Sequence, residues 1–190
     1  MSVRIANLAL ARVGTGRIES FEDADAAAVL VRELWPQVRD AELRAHTWGC
    51  ATARSLLAAS TEVPAFGFAR SFPLPADCLR VLEVGEGGAR SDWRVEGRAV
   101  LADAAPPLAL RYVRRLDDDG EMDASLVDVL ALRLAAAFAP RLTQSASAGE
   151  GLERDYKEAL RRAKRLDAIE NPPQAIGDAL DTRTWLEARR

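Results

Sequence analysis

The sequence has little of what most active sites are built from. Its 190 residues include one histidine and two cysteines. One histidine must serve any triad, and His46 has no cysteine or histidine at ligand spacing. No run approaches the roughly 18 uninterrupted apolar residues of a membrane span, so a membrane-spanning helix is excluded. The opening Met1-Ser2-Val3-Arg4 lacks the long apolar stretch of a secretory signal. Cys50 and Cys78 are therefore expected as free thiols in a reducing cytoplasm. An excess of positive charge is missing as well. The net charge is −3, with 26 Lys and Arg against 29 Asp and Glu, which excludes a strongly basic nucleic-acid binder.

What is abundant is alanine, at 36 residues, and arginine, at 24 against 2 lysines. Alanine favours helix. Arginine pairs carboxylates bidentately, which suits protein interfaces. With 48% hydrophobic and 29% charged residues, the chain has the makings of one soluble, mostly helical domain.

Periodicity places the elements. Val3 to Val13 reads as a helix, broken by Gly14-Thr15-Gly16. Asp23 is the expected cap of a second helix from Ala24 to about Trp48. Leu30, Leu34, Val38, Ala41, Ala45 and Trp48 form its stripe, and Arg39, Asp40 and Glu42 fall mostly off it. Pro36 predicts a kink or break there. Ala51 to Ala59 reads as a further helical turn or two.

The period then changes to two. Phe66, Phe68, Phe72 and Leu74 predict an edge strand, since Pro73 and Pro75 cannot donate to a ladder. Leu79 to Val84, Trp93 to Glu96, Ala99 to Ala102 and Leu108 to Tyr112 follow as short strands. Residues 65–115 thus predict one small antiparallel sheet. Asp123 or Ser125 caps the next helix, whose stripe is Leu126, Leu130, Leu134, Ala137 and Phe138 and which Pro140 ends. A last helix, Ala148 to Ile169, carries Leu152, Tyr156, Ala159, Ala163 and Leu166 on one seam. Its acid-first pairs Glu150–Arg154, Glu153–Lys157 and Glu158–Arg162 are each worth ~0.3 kcal/mol. The expected fold is α+β, mainly α. A bundle of about four helices (1–64 and 116–170) carries a β-sheet insertion (65–115) and an extended C-terminal tail (171–190), one domain overall.

Candidate chemistry is sparse. Gly14-x-Gly16 follows a helix, and Glu19 stands where a nucleotide loop has its third glycine. The run Asp117-Asp118-Asp119 fails as a calcium loop, because Met122 and Asp128 replace the required glycine and glutamate. No catalytic residue, cofactor site or metal site is assigned. Arg161, Arg162, Lys164 and Arg165 make a basic run on the last helix, a solvated face or a protein contact. Trp185 and Leu186, beside Arg189 and Arg190, lie beyond two prolines with no local core, so they should dock on their own domain or on a partner. The candidate partner-binding residues are therefore Trp185, Leu186, Arg189, Arg190, Arg161 and Arg165.

The order of several short motifs resembles a known phage family. These are Ile5-Ala6-Asn7-Leu8-Ala9-Leu10-Ala11-Arg12-Val13-Gly14, then Trp35-Pro36-Gln37-Val38-Arg39-Asp40, then His46-Thr47-Trp48-Gly49-Cys50-Ala51. Leu74-Pro75-Ala76-Asp77-Cys78-Leu79-Arg80-Val81, Trp93-x-Val95-Glu96-Gly97 and Leu110-x-Tyr112 follow in order. In this order they resemble the tail tubular protein A family, the head-to-tail adaptors of podophages and related prophages, with Thr47 in place of that family's usual proline. The resemblance implies a structural, non-enzymatic virion protein made in the host cytoplasm. It implies a dodecameric ring between the portal protein and the tail or nozzle protein, with DNA passing through without sequence-specific binding. It also implies that the segment Asn171 to Arg190 reaches the portal. Two other readings stay open: a host helical protein-binding or regulatory module, and a lysin-like hydrolase.

Overall fold

The computed structural model describes the backbone of residues 3–85, 92–143 and 146–172, and their side chains except at 143 and 146–148. The first helix, α1, spans Val3–Val13 as its periodicity predicts. It ends on Gly14 at φ 76°, with Gly14 N donating to Ala11 O and Thr15 N to Leu10 O. That is the paired closure a left-handed glycine allows just past a helix. Asn7 then clamps the next loop by exchanging two 2.9 Å hydrogen bonds with Ile18.

Helix α2 spans Ala26–Ala45 and starts two residues later than expected. Asp25 is the cap, accepting from Ala28 N at 2.7 Å, while Asp23 closes the preceding turn through Glu19 N and Ser20 N. Pro36 lies inside α2 without ending it. The buried face is also rotated from the predicted stripe. Val31, Trp35, Arg39, Glu42 and Leu43 are buried, whereas Ala41 and Ala45 are exposed. Arg39 and Glu42 face inward because each finds charged partners there, described below.

The chain next makes a 3-10 turn, Gly49–Ala51, and enters strand β1, Thr52–Leu57. This corrects the helical reading of Ala51 to Ala59. The strand is held by antiparallel pairing with β6, Leu108–Arg114, from Thr52 against Val113 to Leu57 against Leu108. Pairing with a buried strand overrides the helical preference of alanine and leucine. The other strands are β2 (Arg70–Pro73), β3 (Cys78–Val84), β4 (Trp93–Glu96) and β5 (Ala99–Ala102). They do not form the single sheet expected over 65–115. The described residues form two antiparallel three-stranded sheets, ordered β1-β6-β3 and β2-β5-β4. The expected strand from Phe66 shrinks to four residues, with Phe72 buried and Phe66 89% exposed.

Helix α3 spans Ala124–Thr143, with Asp123 accepting from Ser125 N at 2.8 Å. Pro140 does not end it, since the helix runs three residues further, and the predicted stripe residue Ala137 is exposed. Helix α4 spans Ala146–Glu170, close to the predicted bounds. Helices α1, α2 and α4 all pack on α3. That explains why Val127, Val129, Ala131 and Leu132 are buried alongside Leu126, Leu130 and Leu134. One core joins the four helices to Ala51, Val113 and Leu116. A second draws Leu57, Phe72, Cys78, Val100 and Leu110 from both sheets. Among the described residues the fold is thus mixed α+β, four helices with two small antiparallel sheets. Among the described residues no helix is long and apolar enough to cross a membrane.

Candidate functional site

Helix α2 delivers its charged residues to β6 and β3 across one joint. Buried Arg39 donates from Nε to Asp40 Oδ1 at 2.8 Å and from Nη1 to Asp117. Asp40 also accepts from Arg115 Nε and Nη2, at 3.0 and 2.8 Å to Oδ2. This two-pronged geometry is the strong form of a carboxylate–guanidinium pair. It holds the Arg115 guanidinium above its ordinary pKa through the hydrogen bonds from Asp40. Arg115 N in turn donates to Asp77 O at 2.8 Å, and the Asp77 carboxylate accepts from Tyr112 Oη at 3.3 Å. Arg80 Nη2 reaches Thr47 Oγ1 at 2.8 Å, and Arg44 reaches the carbonyl of Leu79.

A second cluster ties the end of α2 to the end of α4. His46 Nε2 lies 2.8 Å from Asp167 Oδ2, with its ring edge-on to Trp48 at a centroid distance of 4.6 Å. Asp167 Oδ1 accepts from Gly49 N at 2.8 Å and Asn171 Nδ2 at 3.2 Å. The Asn171 side chain lies where a Cβ on Gly49 would stand, so this approach requires glycine. A third cluster centres on buried Glu42. It accepts from Tyr156 Oη at 2.8 Å and faces Arg133 at 3.7 Å, while Arg133 also pairs with Glu153 at 3.1 Å. Burial, then the Glu42 bond, pushes the Tyr156 phenol above its ordinary pKa.

Asp40 is committed to two arginines, Asp77 to the Tyr112 hydroxyl and Asp167 to the Gly49 backbone N–H and Asn171. Burial raises both thiols, so Cys50 and Cys78 are held in the protonated, less nucleophilic form. Asp118, from the acidic run, caps the turn 119–121, Asp119 meets Arg4 at 3.2 Å, and Asp123 caps α3. Among the described residues no group of three or more His, Cys, Asp or Glu is placed to hold a metal ion. A cleft of about 290 Å³ opens at the end of α4, between Cys50, Met122, Leu166 and Glu170.

Of the predicted contact residues, Arg161 and Arg165 stand exposed on α4 with no ion pair among the described residues. Their neighbour Arg162 lies 3.7 Å from Asp128 instead of pairing with Glu158. Trp185, Leu186, Arg189 and Arg190 lie outside the described residues. Sequence reasoning missed the Arg39–Asp40–Arg115 joint and the Asp167 hub. The adjacent Arg39-Asp40 charges on a helix beside fully buried Trp35 were the available signal. No protein-family model matches the chain, and no curated protein matches it.

Proposed function

We propose that the chain is a structural virion protein, a head-to-tail adaptor that forms a ring between portal and tail and extends the DNA channel. The observation that carries this reading is where the ordered motifs meet. Trp35-to-Asp40 and His46-to-Ala51 are neighbours in the chain and Leu74-to-Val81 follows later, yet the third motif meets both: Arg115 bridges Asp40 and the Asp77 carbonyl, and Arg80 reaches Thr47. A joint of this kind serves shape rather than turnover, as a connector requires.

On this reading the four helices act as a bundle-like ring body and the two sheets are a projecting insertion. The joint fixes one relative to the other. A ring arises when a head-to-tail contact between copies closes on itself. Many weak contacts in one ring then give avidity that no single subunit interface supplies. The exposed face of α4 with Arg161 and Arg165, and the segment bearing Trp185, Leu186, Arg189 and Arg190, would meet the portal or tail protein. No catalysis, cofactor or metal enters this reading. DNA passes through the channel without sequence-specific contacts, and the protein resides at the head-tail junction after synthesis in the host cytoplasm. The alternative is a non-viral helical protein-binding or regulatory module.

The test is recovery of the tagged full chain from particle-producing cells, with partners identified by mass spectrometry. Co-recovery of portal and tail proteins is expected. Recovery of host proteins alone, with none of the chain in particles, overturns the adaptor and favours the regulatory module.

A further inference from the structure

Helix α4 buries Ala159 and Ala163 against α3, but its last turns do not share that cover. Leu166 is 47% exposed and Ile169 is 68% exposed. Beside them opens the cleft of about 290 Å³, with Met122 and the half-buried Cys50 thiol among its apolar lining. Its rim is acidic. Glu121 is met by Arg114 at 3.0 Å and Asp167 by the His46 ring, whereas no arginine or lysine meets Glu170 among the described residues. Asp123 adds a fourth carboxylate, and the lining contains no arginine or lysine.

We propose that residues 183–190 of this same chain seat on that cleft, with Trp185 and Leu186 covering Leu166 and Ile169 and the flanking arginines meeting the rim. Charge sets the register. Residues 183–190 hold Arg183, Arg189 and Arg190 against the single acid Glu187. Residues 173–182 hold Asp178 and Asp181 and no cation, so the acidic rim repels that half and attracts the other. Trp185 and Leu186 are adjacent bulky apolar residues within the cationic half, and tryptophan and arginine make effective anchors. Reach favours the same chain over a second copy. Asn171 itself lines the cleft, so the connecting segment starts where it must return. A loop of this length closes at little entropic cost and holds the anchor at an effective concentration of about millimolar. The inference stands independently of the adaptor reading. If both hold, the contact keeps the segment on its own domain until a partner displaces it.

Cys50 supplies the test, because it lies in the cleft and the other cysteine, Cys78, is buried. In the full chain carrying Cys78→Ala, the double variant Trp185→Ala/Leu186→Ala should react with a disulfide reagent about tenfold faster at Cys50 than its parent, since effective concentration no longer keeps the cleft covered. In the same Cys78→Ala background, dilute oxidation of Leu186→Cys should give an intrachain link to Cys50. Its yield should be several-fold that of Ala179→Cys, although position 179 is nearer in sequence, and Glu170→Lys should lower it. Equal yields from the two positions, unchanged Cys50 reactivity in the double variant, or disulfide-linked dimers as the main product would each overturn the proposal. The last result would mean that a second copy is the seat.

Discussion

Tyr156 donates its phenolic proton to Glu42, and Tyr112 donates to Asp77. Burial first, and the neighbouring carboxylate second, raises both phenols above the ordinary value. The chain has only these two tyrosines, so its phenol titration reports on both sites at once. A pKa raised by folding gives stability that is complete below the unfolded value near ~10 and is lost as pH rises through the folded value. The folded protein should therefore show no tyrosinate absorbance rise centred near pH ~10, whereas the denatured chain should. An ordinary native titration would place the phenols in water. Asp40 makes a second residue-scale prediction. Asp40→Ala leaves buried Arg39 and the Arg115 fork without their shared acceptor, at a cost of about 2–3 kcal/mol in denaturant unfolding. A cost under ~0.5 kcal/mol would mean that the joint is solvated and adds nothing.

Helix α3 shows the element scale most directly, since every other helix packs on it. Its start depends on Asp123, whose carboxyl is held below the ordinary range by hydrogen bonds from Ser125. A lowered folded pKa gives stability that is present above the unfolded value near ~3.9 and disappears as pH falls through the folded value. Asp123→Ala should thus cost ~1 kcal/mol at neutral pH. The difference in thermal midpoint from the parent should close as the solution becomes strongly acidic. A difference that persists in strong acid would show that the carboxylate is not the cause. The elements most legible in the sequence were those that carry a clear period of their own. Val3–Val13 and the strands from Leu79 to Tyr112 appear where their periodicity places them. Residues 52–57 were not legible, because Thr-Ala-Arg-Ser-Leu-Leu carries no alternation and its strand exists through pairing with β6, some fifty residues away. The division into two sheets was hidden for the same reason, since strand order is set by distant pairing. Arg39 and Glu42 read as surface charge, because burial of a charge depends on partners that the local sequence does not contain. Of the candidate site, the exposed arginines of α4 were legible from the basic run alone.

At the scale of the molecule, two cores meet at a joint built from salt bridges and buried aromatic rings. Such contacts tie the helices to the sheets, while Arg161 and Arg165 stand exposed on α4. Arg161→Glu with Arg165→Glu should leave the thermal midpoint nearly unchanged, because exposed substitutions away from packed features fall within ~0.5 kcal/mol. On the adaptor reading the same pair should lower co-recovery of portal or tail protein by about tenfold, as expected when attractive charges at a contact become repulsive. Unaltered recovery would remove α4 from the contact surface. The most direct test of the adaptor reading is immunogold electron microscopy of purified particles carrying the tagged full chain. The expected result is label confined to one vertex, where head meets tail. Particles without label, with the tagged chain left in the host fraction, would contradict it.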